Sequence, residues 1–152
     1  MKAFLRSAAI ALLAAWMGLA LADPASAKPS QGRFEVQANA GLVIDTATKL
    51  TWERNVTLGS YGWAAAKGYC SGLSLAGGGW RLPTLSEIEG LVDRRTSNPA
   101  IDSTAFPNTP ATAFWSSTVY VGTPDNAWRV SFDDGHASTG KTSEVLRVRC
   151  VR

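Results

Sequence analysis

The stretch GGGWRLPTLSEIEGL, residues 77–91, carries the strongest folding signals in this 152-residue chain. Thr84 and Glu87 have the spacing of a capping box, in which the Thr hydroxyl and the Glu carboxylate accept hydrogen bonds from backbone N–H groups at a helix start. Apolar residues follow at helical spacing and predict a helix over residues 85–94. The three glycines reach backbone angles closed to other residues and predict a sharp turn before this helix.

A second helix is predicted upstream of the glycines. Apolar side chains recur there at three- and four-residue intervals, which is typical of a helix face. Ser60 is a suitable N-cap, and Gly72 with the glycines at 77–79 ends the segment. The periodic positions are Trp63, Ala66, Tyr69 or Cys70, and Leu73.

Strands flank the two helices. Short apolar runs at 42–44 and 50–52 lie on either side of a polar turn and predict a hairpin, and residues 33–37 alternate polar and apolar. Further strand-like segments cover 114–121, 127–132, 136–140 and 144–151. This order of elements predicts an α+β domain.

Large apolar side chains mark the core. Residues 98–110 form a proline-punctuated loop, whose Ile101 and Phe106 predict packing against the domain. Arg81 lies between two residues expected in the core, so we predict that it points outward or pairs with a carboxylate. Five tryptophans are predicted to be core residues rather than sugar-stacking platforms: Trp52, Trp63, Trp80, Trp115 and Trp128.

The chain begins with the features of a signal peptide. Lys2 and Arg6 precede an apolar run of about 15 residues, too short for a membrane anchor, and small residues follow at 25–27. We predict a signal peptide at 1–27, a short polar spacer at 28–33 and a single exported domain at 34–152, without a membrane span.

Net charge is modest. Removing Lys2, Arg6 and Asp23 with the signal peptide leaves 13 basic and 11 acidic residues, a net charge of +2. These charges are dispersed, which argues against a nucleic-acid partner. Cys70 and Cys150 are the two cysteines, and an oxidising compartment favours pairing them. Two free buried thiols or an intermolecular bridge are the alternatives.

Seven blocks of the sequence together resemble one known family. They are 41–54, 63–73, 77–93, 98–102, 105–118, 127–135 and 148–152, with WRLPT and VRCVR among their motifs. In this order they are similar to the C-terminal domain of the Legionella collagen-like protein, over about residues 34–152. Seven ordered blocks are far more specific than any single motif.

This resemblance implies a C-type-lectin-like fold, with two helices packed on small antiparallel sheets and a long loop region that carries the binding surface. It also implies a disulfide between the first helix and the last strand, the places of Cys70 and Cys150. Adhesion to sulfated glycans is the function it implies. The collagen-like stalk of the best-known family member is absent from this sequence.

The predicted ligand-binding face lies on the turns between Trp115 and Glu144, since loops on a rigid sheet concentrate binding residues. Its candidate residues are Tyr120, Asp125, Asn126, Arg129, Asp133, Asp134, His136 and Lys141. The alternative for each is a solvated turn residue.

Calcium and catalysis are both disfavoured. Residues 123–126 precede Trp128 as in calcium-dependent lectins, but the strand lacks acidic ligands, and calcium takes six to eight oxygens. We therefore interpret 123–126 as a β-turn and predict no cofactor, with calcium the less favoured alternative. Residues 133–136 are interpreted as a hairpin turn. His136 is the single histidine, Ser116 and Ser117 lack nucleophile-elbow spacing, and we predict no enzyme.

The sequence thus predicts an exported, non-enzymatic module of the periplasm or cell surface. Its ligand is expected to be a glycan, including a sulfated one, or a protein, bound through the loop face. The alternative is a structural or assembly partner in a bacterial envelope complex.

Overall fold

A computed structural model describes residues 32–152, so the predicted signal peptide and spacer residues 28–31 lie outside the described residues. Two three-stranded antiparallel sheets and two helices confirm the α+β prediction. The first sheet has the order β1-β2-β3 and the second β4-β5-β6. The elements are β1 Phe34–Gln37, β2 Leu42–Asp45, β3 Thr51–Glu53, α1 Trp63–Gly72, α2 Leu85–Glu89, β4 Ala113–Val119, β5 Asn126–Ser131 and β6 Ala137–Lys141.

The predicted hairpin is β2-β3, in which Val43 lies opposite Trp52. Asp45 closes β2 with a buried carboxylate that accepts a hydrogen bond from the Ala47 N–H at 3.0 Å. Arg33 pairs with the same carboxylate at 2.6 Å. The first sheet therefore holds its one fully buried acid with a cation and a turn N–H.

Helix α1 begins at Trp63 with Gly62 as its N-cap, so the prediction of Ser60 as the cap is wrong. The cause is tertiary pairing. Tyr61 exchanges two backbone hydrogen bonds with Leu146, at 2.8 and 3.0 Å, which keeps the chain extended past Ser60.

Helix α2 has the predicted capping box, formed by Thr84 and Glu87. It ends at Glu89, however, and the predicted extent of 85–94 is wrong. Val92 instead pairs with Ile101, which draws the chain toward the long loop.

The glycine turn is confirmed by φ angles of 94°, 82° and 80° at Gly77, Gly78 and Gly79. Arg81 donates two hydrogen bonds to the Glu87 carboxylate, at 2.7 and 2.8 Å, which confirms the predicted pairing. Glu87 therefore caps α2 and anchors Arg81.

The predicted strand at 144–151 is wrong as a continuous strand. This C-terminal segment makes isolated bridges to four different partners: Tyr61, Phe114, Trp52 and Arg81. It changes partner along its length because it runs between the two sheets. The segment therefore contacts both sheets and Tyr61, which lies just before α1.

The β4-β5-β6 sheet contributes to two core clusters. Phe114 belongs to a cluster with Ile88 of α2, whereas its neighbour Trp115 belongs to a cluster with Ala66 and Cys70 of α1. The loop residues Ile101 and Phe106 are buried as predicted.

Three of the five tryptophans, Trp52, Trp80 and Trp115, are buried as predicted. Trp63 and Trp128 are only half-buried. Lys67 Nζ lies 3.6 Å from the Trp63 ring centre, and Tyr120 meets Trp128 edge to face. Trp63 still packs against the core cluster that contains Cys70, so the core prediction fails only for Trp128.

The Cys70–Cys150 disulfide is confirmed, with the two Cα atoms 5.4 Å apart and both residues buried. It attaches the C-terminal segment to α1 and rules out the free-thiol alternative here. Between residues 32 and 152, no helix has the length and apolarity that a membrane crossing requires.

Candidate functional site

The eight candidate residues from the sequence lie in separate places. In the register of β5 and β6, Asn126 lies opposite Lys141 at one end and Val130 opposite Ala137 toward the other. Tyr120 and Asp125 belong to the first end, whereas Asp133, Asp134 and His136 follow the second. From Asn126 to Ser131 strand β5 has five steps of about 3.3 Å, so its two ends lie roughly 16 Å apart. They do not form one small-ligand site, and binding at either end stays a prediction.

The turn at the first end is the β-turn that the sequence predicts. Asn126 N–H donates to the Thr123 carbonyl at 2.9 Å. Val121 at this turn is 97% exposed.

The turn at the second end is also confirmed. Gly135 has a φ of 80° and donates its N–H to the Ser131 carbonyl at 2.8 Å. The His136 N–H, followed by its side chain, lowers the pKa of Asp134. Across residues 32–152 no three His, Cys, Asp or Glu side chains group in a way that would hold a metal ion.

Arg129, in the middle of β5, is engaged within the fold. Its guanidinium pairs with Glu144 at 2.5 Å and donates to Ser138 at 3.1 Å. Gly140 lies beneath the pair, where a Cβ would come within 2.9 Å of Arg129 Nη1. Arg129 therefore has an internal structural role.

A cleft of about 400 Å³ lies elsewhere, between the loop after β3 and the end of the long loop. One wall is 55–58, the other is 107–110, and Arg147 completes the lining. The lining residues are Asn55, Val56, Thr57, Leu58, Pro107, Asn108, Pro110 and Arg147. One cation and two side-chain amides thus line the cleft, with no carboxylate among these residues.

Arg147 fixes the first wall. Its Nη1 donates to the carbonyls of Thr57 at 3.3 Å, of Gly59 at 3.4 Å and of Leu58 between them. In the described part of the chain these are its only side-chain hydrogen bonds, and all use Nη1. The Nη2 and Nε donors therefore have capacity for a ligand. Leu58 is 94% exposed.

Asp102 and the buried Phe106 fix the second wall. Asp102 Oδ1 accepts from the N–H groups of Thr104 and Ala105 at 2.9 and 3.0 Å, which closes a turn. Thr109 Oγ1 donates to the Phe106 carbonyl at 2.8 Å. The prolines and Asn108 are thereby held on a packed base.

Arg149 donates hydrogen bonds to both walls of the cleft. Its Nη1 donates to the carbonyls of Glu53 and Arg54 at 2.7 and 2.9 Å, at the start of the first wall. Its Nη2 donates to Thr109 Oγ1 at 2.7 Å, in the second wall. Arg149 is fully buried, and its Nε has no hydrogen-bond partner within residues 32–152.

Within residues 32–152 Arg149 forms no direct ion pair, although the carboxylate of Glu53 lies near enough to interact with its charge. The Glu53 carboxylate instead accepts from Tyr69 Oη at 3.0 Å and from the Cys150 N–H at 3.2 Å. Burial lowers the pKa of Arg149 to about 10, and burial also raises the pKa of Glu53. At neutral pH the guanidinium remains charged, because its pKa still lies well above 7.

Sequence reasoning missed this cleft. The available signal was Arg147 and Arg149 at a spacing of two, which places both side chains on one side of an extended segment. Their convergence with the loops at 55–58 and 107–110 depends on long-range pairing that no local pattern specifies.

No curated protein gave a match to this chain. The Lcl C-terminal domain profile matches residues 41–152, which include both helices, both cleft walls and the two cleft arginines. The chain therefore belongs to the Lcl C-terminal domain family.

Proposed function

We propose that this chain is an exported, non-enzymatic binding module, and that the cleft at Arg147 recognises an acidic glycan, such as a sulfated one. One observation carries the proposal: Arg147 lines a cleft without carboxylates, and the buried Arg149 donates hydrogen bonds to the bases of both walls of that cleft. A low-dielectric cleft that contains one sign of charge concentrates ligands of the opposite sign.

The lining chemistry suits a sugar that carries an anionic group. A guanidinium donates in a fixed fork that fits a carboxylate or a sulfate. Asn55 and Asn108 offer amide donors and acceptors for hydroxyl groups, and Leu58 offers an apolar surface. A volume of about 400 Å³ is in the usual range of small-ligand sites.

Export and the absence of catalysis belong to the same proposal. The buried Cys70–Cys150 disulfide supports an oxidising compartment. The exposed His136 lies in the β5–β6 turn and pairs with Asp134 at 2.9 Å, away from the residues that line the cleft. This arrangement supports binding rather than acid–base chemistry.

Binding to dextran sulfate, with unsulfated dextran as the matched ligand, tests the proposal. We expect the protein to bind dextran sulfate and not unsulfated dextran. The affinity should fall as the salt concentration rises and should not change when a calcium chelator is added. Arg147→Ala should weaken binding at least ten-fold, since it removes a charged donor. Arg95→Ala is the control, because Arg95 is exposed and lies outside the cleft. Equal binding of both polymers, or equal effects of both substitutions, would contradict the proposal.

A second candidate is assembly with a protein partner, favoured by the apolar turn after β4. Val119, Tyr120 and Val121 are 43%, 37% and 97% exposed. Exposed apolar patches mark interaction sites. Val121→Ser should abolish co-purification of an envelope partner without changing dextran sulfate binding, and unchanged co-purification would argue against this role.

A further inference from the structure

We infer that Arg149, although buried, sets the anion preference of the cleft and holds its two walls in register. This inference rests on the proposed function of the cleft and adds a residue that a ligand does not touch. Arg149 is a positioning residue in this sense.

The hydrogen bonds of Arg149 establish the positioning role. One guanidinium spans the carbonyls of Glu53 and Arg54, at 2.7 and 2.9 Å, and Thr109 Oγ1 at 2.7 Å. These three acceptors lie at the bases of opposite walls. A single guanidinium therefore bridges the two walls, with Nη1 bonded to one and Nη2 to the other.

The surroundings of Arg149 establish the electrostatic role. All three of its acceptors are neutral, and Nε has no partner in the described residues. The ring of Phe106 lies 4.7 Å from its guanidinium carbon. The nearby Glu53 carboxylate offsets part of this charge without forming an ion pair. The remaining field is weakly screened in this buried setting and extends toward the cleft.

Arg147 and Arg149 then have different parts in recognition. Arg147 lines the cleft and offers donors to the ligand, whereas Arg149 acts through the field and through the spacing of the walls. Three substitutions separate these effects. Arg149→Met removes the charge, and Arg149→Lys keeps it at a pH low enough for a buried lysine to stay protonated. Thr109→Val removes one anchor while leaving the arginine in place.

The measurement is the affinity for dextran sulfate across a salt series, on protein whose fold is checked by near-UV circular dichroism. For Arg149→Met we expect roughly ten-fold weaker binding at low salt and a shallower dependence on salt, since a charge near the ligand is gone. Arg149→Lys and Thr109→Val should weaken binding but keep the wild-type salt dependence. If Arg149 had a purely structural role, all three variants would bind more weakly, and the dependence of affinity on salt concentration would stay as in the wild type.

A pH series keeps the test decisive if Arg149→Met fails to fold. A buried lysine loses its proton at lower pH than a surface lysine, whereas arginine stays charged. Binding by Arg149→Lys should therefore fall between pH 7 and 10 more steeply than binding by the wild type. Parallel pH profiles, or an Arg149→Met variant that binds with wild-type affinity and slope, would overturn the inference. Loss of binding by Arg147→Ala in that same experiment would leave the proposed function standing.

Discussion

At the scale of single residues, Gly135 shows how a backbone requirement and a close contact coincide. Its φ is 80°, and an added Cβ would lie 2.5 Å from Val92 Cγ1. We predict that Gly135→Ala destabilises the domain by about 2–4 kcal/mol, because strain and overpacking add. Urea denaturation measures the change.

Gly68→Ala is the matched control for that experiment. Gly68 lies inside α1, and nothing comes within 4 Å of its added Cβ. We expect stabilisation by about 0.5–1 kcal/mol from helix propensity. Equal effects at the two glycines would contradict the structure of the β5–β6 turn.

The Arg81–Glu87 pair predicts a pH dependence. The Arg81 hydrogen bonds, followed by the Thr84 N–H, lower the pKa of Glu87 to about 2. In the unfolded chain the pKa of a glutamate is about 4.3. Because folding lowers this pKa, the ionised carboxylate stabilises the fold above about pH 4.3, and the stabilisation is lost as the pH falls toward 2. Because Arg81 is half-exposed, the contribution is about 1 kcal/mol or less.

Thermal melts from pH 6 to pH 2 test this pair. The melting temperature of Arg81→Ala should fall less steeply than that of the wild type over this range. Arg94→Ala is the control, because Arg94 is exposed. Its melting temperature should depend on pH as that of the wild type does. An unchanged profile for Arg81→Ala would show that Glu87 is not held by Arg81.

At the scale of elements, the features that depend only on residues close in sequence were predicted correctly. The capping box of α2 and the glycine turn follow from side-chain and backbone preferences within a few residues, and both are confirmed. The start of α1, the end of α2 and the course of 144–151 were predicted wrongly. Each depends on pairing with a distant segment, such as Tyr61 with Leu146, which overrides the local pattern.

The long loop yields a prediction at this scale. Asp102 closes the turn beneath the second wall through two backbone N–H groups. Asp102→Ala should cost about 1–2 kcal/mol, since the buried Ala105 N–H and the exposed Thr104 N–H lose their acceptor, and should weaken dextran sulfate binding. Ser103→Ala is the neighbouring control, because Ser103 makes a single 3.5 Å contact. Unaltered binding by a destabilised Asp102→Ala would separate this turn from the cleft.

At the scale of the whole molecule, the disulfide is the principal long-range constraint. It joins residues 80 apart and attaches the segment that carries Arg147 and Arg149 to α1. Removing both cysteines as Cys70→Ala with Cys150→Ala should cost about 4 kcal/mol in the chain-entropy account. Denaturant titration measures the loss, and two reactive thiols in the untreated protein would contradict the bridge.

The family and the α+β class could be predicted from the whole sequence, whereas the cleft could not. Family blocks and element order are readable along the chain. The cleft requires loops separated by about 50 residues to meet over the buried Arg149. Likeness to C-type lectins and binding by the turn residues at 120–126 and 133–136 stay predictions.

The most direct test of the central claim is a map of amide chemical shifts during titration with a short sulfated dextran. The account predicts the largest, saturable changes at 55–58, Asn108, Thr109 and Arg147, with no such changes for unsulfated dextran. Changes confined to the turns at 120–126 or 133–136, with the cleft amides unmoved, would contradict it.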